Sequence, residues 1–186
     1  MKKLILLPAV VAVVIALIGC ESMDWDKGTA RRSSSIMKAV CIVHPTAGNN
    51  CSGVVSFTQS GQWVKVVENV TGLSPNAQHA IHIHTYGDCT AGDGTSAGGH
   101  YNPEGHDHGL PVQERRHAGD LGNLKTDASG NAQFEIVVDN VTINGKKNPI
   151  LGRAVIIHAK LDTGRQPTGE AGARIGCGVI GTANGG

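Results

Sequence analysis

From Ile36 onward, β-branched and aliphatic residues come in short runs that alternate with polar positions, and glycine, asparagine, aspartate or serine closes each run. Lys38–Val43, Gly53–Thr58, Trp63–Val70, His79–His84, Ala132–Val138, Arg153–Ala159 and Cys177–Ile180 each have the length and residue types of a strand. Ser60-Gly61-Gln62 reads as a hairpin turn between the second run and the third. No long stretch shows apolar residues at helical spacing. The pattern predicts an all-β domain, a Greek-key β-sandwich or barrel of immunoglobulin-like layout.

Two segments depart from this rhythm. Lys2 and Lys3 precede an almost wholly apolar run, Leu4 to Gly19, which ends in Leu17-Ile18-Gly19-Cys20. A positive start, an apolar middle and a small-residue cleavage site describe an export signal, and the last four residues resemble a bacterial lipobox with Cys20 as the acylated residue. Residues 1–20 are therefore expected to be a signal peptide, residues 21–35 a flexible polar tether, and residues 36–186 the folded domain. That assignment predicts an extracytoplasmic protein, periplasmic or at the cell surface, held to a membrane by lipid on Cys20. The second departure is Tyr86 to Leu124, long, rich in glycine and without a clear strand, a length of loop that is uncommon unless it is functional or stapled.

Composition narrows the chemistry. A net charge of +1 and a pI of 7.7 provide no basic field for a nucleic-acid partner. Nine histidines against 3% aromatic residues are more than a small core accommodates, because a buried imidazole needs partners for its ring nitrogens. Four cysteines besides Cys20 (Cys41, Cys51, Cys89 and Cys177) allow three disulfide pairings in an exported protein.

The histidines are placed for metal binding. His82 and His84 flank Ile83 in a strand, so both imidazoles leave one face. His100, His108, His117 and Asp120 fall in the glycine-rich loop, and three imidazoles with one carboxylate are the donor set of a closed tetrahedral zinc site. A bound metal would supply the ordering energy that such a loop lacks. His158 closes the apolar run Val155-Ile156-Ile157.

Four motifs connect these positions: H-x-H-x-x-G-D from His82, T-S-A-G-G-H-Y-N-P ending at Pro103, R-H-x-G-D-L-G-N from Arg116, and G-x-R-x-x-C-G-V-I-G from Gly172. Together they resemble the copper/zinc superoxide dismutase family over residues 36–183. The resemblance implies copper on His82, His84, His100 and His158, and zinc on His100, His108, His117 and Asp120, with His100 bridging both ions. It implies Cu(II)/Cu(I) cycling that converts superoxide to dioxygen and hydrogen peroxide, with zinc in a structural role. Asp162 corresponds to the aspartate that links a copper histidine to a zinc histidine, Arg174 to the active-site arginine that attracts the anion, and Thr168 to the threonine at the channel mouth. His79 corresponds to a structural histidine, while His44 and His106 have no assigned role and are expected to be solvated.

The resemblance also implies a disulfide from Cys177 to the metal loop. Eukaryotic-type members carry the partner where this chain has Asp93-Gly94, so the expectation falls on the upstream Cys89; Cys41 matches an inward strand position, and both a buried free thiol and a pairing with Cys51 stay open. The stretch from His158 to Arg174 is shorter than in those members and lacks their charged cluster, so weaker or differently placed steering of superoxide is expected. Val40, Ile42, Leu151, Val179 and Ile180 match apolar positions around the family's eukaryotic-type dimer interface, which allows a homodimer, while the same residues suit a core equally well. The alternative function is a non-enzymatic extracytoplasmic copper/zinc-binding lipoprotein, which would take up metal without redox turnover.

Overall fold

The computed structural model describes residues 36–184; the expected signal peptide, the tether and the last two residues lie outside them. Among the described residues eight strands form: β1 (Lys38–Pro45), β2 (Ser52–Ser60), β3 (Trp63–Thr71), β4 (Gln78–His84), β5 (Asp120–Lys125), β6 (Ala132–Val138), β7 (Ala154–His158) and β8 (Arg174–Thr182). Every neighbouring pair is antiparallel, in the order β5-β4-β7-β8-β1-β2-β3-β6. β5 and β6, the two ends of that order, pack against each other, so the sheet curls into a nearly closed barrel.

Period-two alternation explains most of the interior. Ala39, Cys41 and Val43 of β1, Val64, Val66 and Val70 of β3, and Ile81 and Ile83 of β4 all point inward and are buried. β7 breaks the alternation because it is buried on both faces. Val155 and Ile157 face the barrel, while Ala154 and Ile156 join Ala97, Cys177 and Cys89 in a second cluster. Strands covered on both sides read as continuous apolar runs.

β5 corrects the expectation that Tyr86 to Leu124 lacks a strand. Asp120, Gly122 and Asn123 are residue types depleted from strands. The ladder to β4 also shifts register between Ala80 and His82, and Gly122 takes a φ of 88°. That irregularity lets Leu121 and Leu124, three residues apart, both seal the core. A pattern of period two cannot reveal such a strand.

Cys89 and Cys177 form a disulfide with Cα atoms 5.9 Å apart, closing a separation of 88 residues and tying the long loop to β8. Cys41 and Cys51 are buried free thiols, both pushed up to about 12 by burial, so neither is a nucleophile at neutral pH. Among the described residues, no helix is long and apolar enough to cross a membrane.

Candidate metal centre

The outer face of β4 and the last residue of β7 build one side of the site. His82 and His84 point away from the barrel while Ile83 points into it, and His158 ends the neighbouring strand where the β7–β8 ladder shifts register. Backbone pairing delivers the loop residues. An isolated antiparallel bridge sets His100 opposite His84, and the first residue of β5, Asp120, pairs with His82.

Two four-donor groups result. His82, His84, His100 and His158 form one, and His100, His108, His117 and Asp120 the other; within each, the donor atoms lie within 4.8 Å of one another. His100 belongs to both. In the second group, Asp120 Oδ1 lies 3.1 Å from Nδ1 of His100, 3.1 Å from Nδ1 of His108 and 3.3 Å from Nδ1 of His117. Nδ1 of His117 is also 3.3 Å from Nδ1 of His100. Donors about 2.0–2.1 Å from a tetrahedral centre must sit about 3.3–3.4 Å apart, so these separations fit a zinc-sized ion.

The far side of each ring fixes which nitrogen is free. His84 Nδ1 donates to the Gly98 carbonyl at 2.8 Å, and His158 Nδ1 to the Gly172 carbonyl at 3.2 Å. Asp162 accepts twice, from His82 Nε2 at 2.8 Å and from His108 Nε2 at 2.9 Å. A ring that donates from one nitrogen presents a lone pair on the other. Those other atoms, His84 Nε2, His158 Nε2, His82 Nδ1 and His108 Nδ1, are buried without a hydrogen-bond partner. Four orphaned acceptors aimed at two points are what metal ions would satisfy.

Burial and the neighbouring charges set the protonation of several of these groups. Burial, with the charges of neighbouring rings and Arg174, lowers His84 to about 2 and His158 to about 3. Burial and the neighbouring rings bring His100 down to about 4 even though Asp120 opposes them. His108 goes the other way: burial disfavours its charge, but Asp120 and Asp162 together raise it to about 9. Burial likewise pushes up both aspartates, and histidine hydrogen bonds outweigh it, holding them well below the usual carboxylate range.

A cavity of about 160 Å³ opens onto the first group, lined by His84, His100, His158, Thr168, Gly172 and Arg174. Arg174 donates to the carbonyls of Gly94 and Gly98 at 2.7 Å each, which locks its planar fork at the cavity wall. A larger apolar hollow of about 590 Å³ beside Ile42, Cys89 and Val179 contains none of the clustered histidines. His79 stands apart from both groups, its Nδ1 donating to the His158 carbonyl at 2.9 Å. His44 is exposed. His106 is not freely solvated as expected: its backbone N–H bonds Asn102, and its ring lies 3.2 Å from the Arg116 carbonyl and 3.4 Å from Glu104.

Two contributors fall outside the residues that the sequence singles out. Asn123 pairs its side-chain amide with the backbone of Asp162, and Gln166 does the same to His108. Asn123 lies inside a recognised motif and could have been found there; Gln166 lies in none.

Comparison with known proteins agrees with the geometry. The profile of the family described as copper/zinc superoxide dismutase (SODC) matches residues 51–180. A protein of Cordyceps militaris named superoxide dismutase [Cu-Zn] is 42% identical over 158 residues, covering 80% of this chain and all of that one. One of Humicola lutea with the same name is 43% identical over 157 residues, with the same coverage. A third, of Paramecium bursaria Chlorella virus 1, is 37% identical over 185 residues, 96% of each chain.

Proposed function

The chain belongs to the copper/zinc superoxide dismutase family, and on that premise we propose that His82, His84, His100 and His158 hold copper while His100, His108, His117 and Asp120 hold zinc. The reaction is that of the family: two superoxide anions and two protons give one dioxygen and one hydrogen peroxide. When bound, copper supplies one-electron redox chemistry and zinc a fixed charge that orders the loop.

The chain's own residues bind the anion and manage the proton. Arg174 is permanently charged, and its fork is held at the cavity wall, so superoxide entering there is attracted and oriented. Thr168 narrows the same cavity, which favours a small anion over larger ones. His100 commits Nδ1 to the side of Asp120 and His117, leaving Nε2 to hold a proton and pass it to the departing peroxide. Asp162 holds the rings of His82 and His108 from behind and increases their basicity.

The observation that carries this reading is one buried imidazole, His100, common to two donor groups and lining the cavity that Arg174 guards. Metal storage would need the donors but no anion receptor, so the non-enzymatic alternative is not favoured. Superoxide decay measured on metal-loaded protein tests the reading. Arg174→Ala is expected to keep both metals and lose on the order of 10–100-fold in kcat/KM, and His100→Ala to lose turnover. Full loading with both metals and no superoxide decay in the parent protein would overturn it.

The working location is extracytoplasmic, with the domain tethered through lipid on Cys20. The support is Lys2, Lys3 and the apolar run ending at Cys20, followed by the polar stretch 21–35. A Cys20→Ser variant is expected in the soluble fraction while the parent sediments with membranes; a soluble parent contradicts the anchor. The domain works as a homodimer through the apolar hollow beside Ile42 and Val179, both of them exposed.

A further inference from the structure

Between Asp162 and Arg174 the chain crosses the site in a short irregular loop whose residues are mostly exposed. Such a segment is poorly ordered unless something ties it down. Gln166, near its middle, has an exposed position but a fully engaged side chain. Its Oε1 accepts from the His108 backbone N–H at 3.0 Å and its Nε2 donates to the His108 carbonyl at 2.7 Å. The carboxamide thus pairs with His108 as one strand residue pairs with another. Among the described residues, no other bond is made by that N–H or that carbonyl.

The arrangement recurs one contact away. Asn123 Nδ2 donates to the Asp162 carbonyl at 3.0 Å, and Asn123 Oδ1 accepts from the Asp162 N–H at 2.6 Å. The side chains of His108 and Asp162 then meet at 2.9 Å. Two carboxamides from separate segments therefore grip the backbones on either side of one buried hydrogen bond. The loop also presses on that bond directly: a Cβ added to Gly169, whose φ is 73°, would overlap Asp162 Oδ1 and come within 2.8 Å of His108 Nε2.

We propose that Gln166 is a positioning residue of the zinc centre: its carboxamide clamps His108 in place and fastens to it the loop that carries Thr168. The inference rests on the reading of His108 as a zinc ligand. Removing the clamp frees the His108 backbone to move away from Asp120 and frees the wall of the cavity, two residues along, at the same time.

The test is the zinc dissociation constant, measured by chelator competition on the metal-loaded protein and its variants. Gln166→Leu keeps the volume and loses both bonds; it is expected to weaken zinc binding about 10–100-fold, the usual effect of removing a group that supports a ligand, with copper content retained. Gln166→Glu keeps the acceptor, loses the donor, and is expected to fall between leucine and the parent. The His108 amide of the unaltered protein is expected to exchange slowly with solvent deuterium, a readout that does not depend on any variant folding. Zinc affinity of Gln166→Leu within twofold of the parent, or a His108 amide exchanging like an open loop, overturns the proposal. His108→Ala separates the two levels: if it leaves zinc affinity intact, the ligand assignment fails, whereas a zinc loss there with no Gln166 effect sinks the clamp alone.

Discussion

Asp162 touches two rings at once, and its removal leaves His82 Nε2 and His108 Nε2 without an acceptor in a buried site. Asp162→Ala is therefore expected to weaken metal binding at both groups by about 10–100-fold each, measured as metal retained after dialysis against a chelator; loss confined to one metal would contradict a shared support. Glu68 is a residue of another kind. It points from β3 into the barrel, fully buried, between Val55 of β2 and Phe134 of β6, with both carboxylate oxygens unpartnered. Burial raises it from the ordinary 4.5 to about 8. A folded-state value above the unfolded one means the group favours the fold at low pH, and that advantage is lost as pH rises from about 4.5 through 8. The loss is on the order of 5 kcal/mol. Thermal melting of the parent is thus expected to fall between pH 6 and 9 relative to Glu68→Gln; parallel curves would show that Glu68 does not titrate inside the barrel. The clustered histidines were legible in the sequence because chemistry constrains their identity and spacing together. Gln166 and Glu68 were not, since a carboxamide that bonds backbone, or a carboxyl turned inward, leaves no pattern in a single chain.

At the scale of elements, the long loop is held by covalent and polar ties more than by burial. Cys89–Cys177 and the two Arg174 hydrogen bonds both connect it to β8. Across a separation of 88 residues, the chain-entropy account gives the disulfide about 4–5 kcal/mol of stabilisation. Cys89→Ser with Cys177→Ser is expected to lower the denaturant midpoint accordingly, with the slope showing whether the unfolded chain also expands; an unchanged midpoint would mean that the loop is ordered without its staple. Seven of the eight strands announced themselves as short runs of β-branched and aliphatic residues closed by turn residues. β5 did not, because its bulge puts Leu121 and Leu124 on one side three residues apart and fills the remaining positions with Asp, Gly and Asn. The functional end of the fold is where local sequence rules and tertiary demands diverge.

At the scale of the whole molecule, the barrel is a wall on which β4 and β7 display histidines of a cluster that a loop then completes. Its outer surface keeps Ile42 at 48% and Val179 at 43% exposure beside an apolar hollow, the face that the proposed homodimer would cover. Introducing Ile42→Glu and Val179→Glu together is expected to halve the sedimentation mass while leaving the metal centre loaded; a parent that sediments as a monomer at micromolar concentration contradicts the dimer. Of the five residues matched to a dimer face, Ile180 is core instead, since it is 1% exposed and alternates inward from Val179.

The central claim is that His100 serves two ions. Anomalous diffraction at the copper and zinc edges, on crystals grown with both metals, measures this directly. The expected result is one copper and one zinc about 6 Å apart, the span of two metal–nitrogen bonds of about 2.0 Å and one imidazole, with the ring of His100 between them. A single ion at the site, or two ions with His100 bound to only one of them in every oxidation state, would contradict the account.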